Sequence, residues 1–106
     1  MSRSDDQRVA DILDACDELE GVVSLRSEGQ VPDEVLLRAA ERLLEIIGEA
    51  ASNVSDAGMN QYPEVDWRNI ARLRIVLAHH YHRIDPDLIW SYAIEQAPVL
   101  ASALRT

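Results

Sequence analysis

Over residues 4–26 the apolar side chains recur at steps of three and four: Val9, Ile12, Leu13, Cys16, Leu19, Val22 and Val23. A period of 3.6 places all of them on one flank of an α-helix, whereas a strand would scatter them over both faces. The signature returns from Pro32-Asp33 to about position 54, in Leu36, Ala39, Ala40, Leu43, Ile46, Ile47, Ala50 and Val54. Two long amphipathic helices can bury such stripes only against other helices. The chain holds four Gly, four Pro and no Phe, too few turn residues for a many-stranded fold. Its core must come from Leu, Ile, Val and Ala.

The punctuation fits. Ser4 or Asp5 is suited to cap the first helix, and Gly29 in Ser27-Glu28-Gly29-Gln30 to end it. Residues 55–65 read as a connecting loop, longer than most between helices. Asp66 is placed to cap a third helix over residues 67–83, and Pro86 suits the first turn of a fourth. Pro98 should bend or divide that fourth helix, leaving residues 99–104 as a short extra piece. The reading is an all-α, up-down four-helix bundle with a short C-terminal helix, one domain over residues 1–106. Two Trp and three Tyr are all its aromatics, so the core is thin. A homodimer would add burial, with Trp67 and Trp90 as candidates for its face.

The lone cysteine, Cys16, lies within the first apolar stripe and reads as a small core residue; it excludes an internal disulfide. No run approaches the roughly 20 apolar residues of a membrane span, and Met1-Ser2-Arg3-Ser4-Asp5-Asp6 is no signal peptide. A cytoplasmic protein is expected, with no membrane and no cofactor. A net charge of −9 argues against a surface that coats nucleic acid. The distribution is uneven, however. Residues 1–66 carry sixteen acids and five Arg, while residues 67–84 carry Arg68, Arg72, Arg74, Arg83, His79, His80 and His82 with no acid. This basic island either docks against acidic helices of its own fold or meets a polyanion.

Within it, Arg74 supplies a permanent cation for a phosphate, and His79 a group that exchanges protons near neutral pH. Together they suffice for RNA cleavage without a metal. Five residues separate them, about 140° around an ideal helix. They meet only if the helix ends near His79 or a second copy completes the site. Tyr81 lies seven residues from Arg74, on the same face. The histidines lack the spacing of a metal site, so none is assigned. Gly48, in mid-helix, implies a close helix–helix approach, and Glu49 beside it is either a solvated carboxylate or the partner of an arginine on the third helix.

The run Trp67-Arg68-Asn69-Ile70-Ala71-Arg72-Leu73-Arg74, then His79-x-Tyr81, Ile84-Asp85 and Leu88-Ile89-Trp90, resembles the HepT-like branch of the HEPN superfamily. Its hallmark is Arg-x4-His-x-Tyr. Leu44-Glu45-Ile46-Ile47-Gly48-Glu49-Ala50-Ala51 resembles the family's Ile-Gly-Glu-Ala block on the second helix, and Pro98-x-Leu100 its C-terminal ending, so the likeness spans roughly residues 8–104. It implies a homodimer whose two motifs face each other to form one metal-independent endoribonuclease cleft. Arg74 and His79 would be catalytic, and Arg68 and Arg72 would bind RNA phosphates. A minimal nucleotidyltransferase antitoxin would add AMP to Tyr81, blocking the cleft with bulk and charge in a type VII-like toxin–antitoxin pair. Ile75 departs from the polar residue that often follows the motif arginine. It keeps open a second reading, a non-catalytic dimer that binds a nucleotidyltransferase or nucleotide without cleaving RNA.

Overall fold

The computed structural model describes residues 4–79 and 85–105, and for Ala78 and His79 the backbone alone. Helix α1 (Asp5–Glu28) starts on Ser4, whose hydroxyl accepts from the Gln7 N–H while the Gln7 side chain accepts from the Ser4 N–H. This reciprocal box satisfies two of the donors that a helix start leaves orphaned. Gly29 ends the helix with φ at 73°, a left-handed turn that costs glycine little. Helix α2 (Asp33–Ser52) follows after a short loop and returns along α1.

Helix α2 is the centre of the fold. Leu36, Ala40, Leu43, Ile47 and Ala50 are buried, and so is a second stripe, Leu44, Gly48 and Ala51. The helix therefore has two covered faces, and it packs on both α1 and α4 (Trp67–His79). Asp66 accepts from the Asn69 N–H at the start of α4. The last rod begins with α5 (Pro86–Ser91), capped by Asp85, whose carboxylate accepts from the Asp87 N–H. It packs on α1 and α2. Among the described residues there is no strand, and no helix is long and apolar enough to cross a membrane.

Three expectations need correcting. The loop over residues 55–65 contains a one-turn helix, α3 (Asp56–Asn60), capped by Ser55. Ser55 is itself held by Asp5 of α1, which accepts from both its N–H and its hydroxyl. Those bonds hold the Asp5 carboxyl below the usual range. The short C-terminal piece expected of the fourth rod is present, but it begins at Ala97, before Pro98 rather than after it. A π-helical turn (Tyr92–Gln96) joins α5 to α6 (Ala97–Leu104), and Pro98 stands in the first turn of α6, where its missing N–H is not required. Finally, Trp67 and Trp90 are both buried within the chain rather than offered to a partner. The Trp67 indole N–H donates to the carbonyls of Met59 and Tyr62, and the Arg26 guanidinium lies 4.4 Å over the Trp90 ring. The third helix is described as far as His79; His80, Tyr81, His82 and Arg83 lie outside the described residues.

Cys16 is the core residue its spacing implied, and burial pushes its thiol from 9.0 up to about 11. Burial likewise pushes the Tyr92 phenol from 10.0 up to about 12. Both groups stay neutral in the folded chain at a pH where the unfolded chain has begun to ionise. Stability is therefore fully present below pH 9.0 and declines as pH rises toward 12. Urea titrations across that range should show the decline, and Cys16→Ala with Tyr92→Phe should flatten it.

Candidate functional site

Gly48 determines how α4 sits on α2. A Cβ built at this position would lie 2.6 Å from the Arg74 backbone nitrogen, 3.1 Å from the Leu73 Cβ and 3.3 Å from the Arg74 Cα. Only a glycine lets the two backbones come this close. The mid-helix glycine thus has the purpose its position implied, and the residue it admits is Arg74.

The next residue on α2 completes the contact. Glu49 Oε2 lies 2.9 Å from Arg74 Nε. The carbonyl of Glu49 accepts from the Ser52 hydroxyl and the Asn53 amide, each at 2.8 Å, which secures the end of α2. The Arg74 and Glu49 side chains are 53% and 58% exposed, so water screens their attraction. Such a pair contributes at most about 1 kcal/mol to stability. Its consequence is orientation: one arginine of the basic island is held at a defined point on the surface.

The other cations of α4 are placed differently. Arg68 and Arg72 are exposed, one turn apart, and make no ion pair among the described residues. Ile75, 57% exposed, follows on the same side. This flank faces away from the buried Trp67, Ile70 and Leu77 that pack inward. The basic island therefore has two parts, an arginine paired to its own fold and a stripe turned to solvent. His79 closes the described part of α4, and Tyr81 lies beyond it. The structure thus brings Arg74 to Glu49, but it leaves the relation of Arg74 to His79 and Tyr81 undescribed. Among the described residues, no cluster of three His, Cys, Asp or Glu is placed to hold a metal.

One feature is only faintly marked in the sequence. A cleft of about 440 Å³ runs between α4 and the α5–α6 rod, with Leu44, Arg72, Leu73, Leu77 and Tyr92 among its lining. The second apolar stripe of α2, to which Leu44 belongs, is the signal that could have revealed it.

Replacing Gly48 with Ala tests the close approach. The new methyl meets backbone, which cannot swing aside as a flexible side chain can. Overpacking of this kind costs about 1–3 kcal/mol, more than the helix propensity gained. The melting temperature should fall by roughly 5–15 °C. Gly21→Ala, on α1 where an added Cβ meets nothing within 4 Å, should instead raise stability by about 0.5–1 kcal/mol. Equal responses at the two glycines would refute this account of α2 and α4.

Comparison with known proteins adds the following. The profile of the family described as "Ribonuclease HepT-like" matches residues 12–106. A protein of Thermococcus cleftensis named "Probable ribonuclease HepT" is 34% identical over 101 residues, 94% of this chain and 92% of its own length. A protein of Caldanaerobacter subterraneus subsp. tengcongensis with a provisional RNase name is 36% identical over 95 residues, 89% of this chain and 85% of that one. Another with a provisional RNase name, from Methanocaldococcus jannaschii, is 42% identical over 66 residues, 62% of this chain and 54% of that one. No solved structure matches.

Proposed function

The chain belongs to the HepT-like ribonuclease family, and from that premise we propose that it is a metal-independent endoribonuclease whose cleft is assembled from two copies. The observation that carries this reading is Arg74: an exposed guanidinium held at a close approach of α2 and α4 by Gly48 and Glu49. In the proposed reaction His79 takes the proton of a ribose 2′-hydroxyl. The 2′-oxygen attacks the adjacent phosphorus, and Arg74 stabilises the charge of the pentacoordinate state. The bond to the 5′-oxygen then breaks, an imidazolium returns a proton to that oxygen, and a 2′,3′-cyclic phosphate remains. Arg68 and Arg72 hold flanking phosphates, so RNA reaches this acidic chain through a narrow cationic window.

The same reading assigns Tyr81 as the regulatory handle. A minimal nucleotidyltransferase antitoxin joins the phenolic oxygen to the α-phosphorus of ATP and releases pyrophosphate. The attached AMP adds negative charge and bulk beside the cleft. Three measurements test the whole. Purified protein in excess chelator should cut RNA to fragments ending in cyclic phosphate. Its induction should arrest growth. Co-expression with the nucleotidyltransferase should raise the mass of the tryptic peptide containing Tyr81 by whole AMP units.

A second reading draws on Ile75, an exposed apolar side chain directly after Arg74, and on the carboxylate that already accompanies that arginine. In it the dimer binds the nucleotidyltransferase or a nucleotide and cleaves nothing. A stable complex with that partner, together with intact RNA after prolonged incubation, would establish the second reading and sink the first.

A further inference from the structure

We propose that Glu49 is a positioning residue for Arg74, holding its guanidinium at the Nε edge so that the Nη donors meet the scissile phosphate. The inference rests on the reading of Arg74 as the phosphate cation. Its support is geometric. The 2.9 Å pair joins two exposed side chains on neighbouring helices, where fold stability gains little from it. It sits beside Gly48, where backbone-to-backbone distance leaves no room for a methyl. The Glu49 carbonyl is held by Ser52 and Asn53, so the carboxylate projects from a secured end of α2. Of the three α4 arginines in the described residues, Arg74 alone has an ion-pair partner among them.

The chemistry gives this bracket a distinctive signature. A long arginine side chain samples many rotamers, and fixing it removes an ordering cost from the reaction. A guanidinium bound at Nε keeps its planar fork for a second oxyanion. The same carboxylate repels an incoming RNA phosphate, however. Glu49 therefore weakens substrate binding while raising the rate of the bound complex, and its removal should separate the two.

The test compares Glu49→Ala, Glu49→Gln and Arg74→Ala in the full chain on a fluorogenic RNA, with binding measured on the same sequence carrying 2′-O-methyl groups. Both Glu49 variants should lower kcat by about 10- to 100-fold, the penalty of a misplaced catalytic group. Both should bind the uncleavable RNA at least about threefold more tightly, as expected when a charge next to a phosphate is removed. Melting temperatures should stay within a few degrees of the parent. The Arg74 Nε–H resonance, distinct in the parent, should shift and exchange faster in both variants, a readout independent of cleavage. A purely structural role would lower kcat and melting temperature together and leave RNA binding equal or weaker, which would overturn the proposal. Parental kcat and binding in Glu49→Ala beside an inactive Arg74→Ala would overturn it alone. Full activity in Arg74→Ala would overturn the reading of Arg74 and the bracket with it.

Discussion

Arg74→Ala and His79→Ala should each reduce RNA cleavage by at least about 100-fold. That is the usual loss when a transition-state donor or a general base is removed. Folding should be nearly unaffected in Arg74→Ala, because its side chain is half exposed and its ion pair with Glu49 is screened. A circular dichroism melt beside the kinetic assay therefore separates lost chemistry from lost structure. Arg74→Lys should retain a fraction of the rate, since the charge survives while the bidentate fork does not. The histidine adds a pH signature: cleavage should fall as pH drops through the imidazole range near 6.5, where the base becomes protonated. Mixing the two inactive variants examines the shared cleft. If each working site combines Arg74 of one copy with His79 of the other, half of the sites in a mixed dimer hold both native groups. Partial activity should then return. If both groups act within one copy, the mixture stays inactive. Parental cleavage by either single variant would remove that residue from the mechanism.

The parts of this molecule that were readable in advance are those governed by local periodicity. The 3.6-residue stripes of Val9–Ile12–Cys16–Leu19 and Leu36–Ala40–Leu43–Ile47 announce α1 and α2, and Gly29 marks a boundary because a left-handed turn favours glycine. What escaped depends on contacts made at a distance in the chain. Helix α3 spans five residues, too few to show a period, and its capping serine is held by Asp5 fifty positions earlier. Pro98 read as a break because a proline inside a helix clashes with the preceding turn. The π-helical turn before it moves the proline to the start of α6. At the site, Gly48 declared a close approach but not its partner. Whether Glu49 met an arginine was open until the registry of α2 against α4 was known, and the Gly48–Arg74 contact supplies that registry. Arg-x4-His was visible as spacing alone, and helical arithmetic cannot say which of the two flanks of α4 belongs to the cleft.

Trp67 read as a possible partner contact because a thin core with few aromatics suggested that its largest side chains serve an interface. The structure uses it internally, and Trp67→Ala should consequently be among the most damaging single changes, costing about 3–5 kcal/mol. The ring is 7% exposed at the first position of α4, and it meets Tyr62 edge-on with centroids 6.3 Å apart. Its indole N–H donates to the Met59 and Tyr62 carbonyls at 3.2 and 3.3 Å, tying the end of α3 and the following turn to α4. Truncation removes the burial, leaves a cavity, and strips those carbonyls of their donor at once. Against the roughly 5–15 kcal/mol typical of a small domain, about a fifth or more of the stability would be lost. Trp67→Phe divides the effect. It keeps most of the apolar contact and loses only the N–H, so it should cost about 1–2 kcal/mol. Urea unfolding of both variants yields the two figures. An interface role makes a different prediction: the unfolding free energy per subunit would change little, and the dimer would dissociate on dilution. Because Arg74 lies seven residues beyond Trp67, two turns along the same side of α4, the Phe variant should keep its cleavage rate below its melting temperature. In that case the indole N–H serves the fold, and the registry of Arg74 depends on the packed ring and on Gly48.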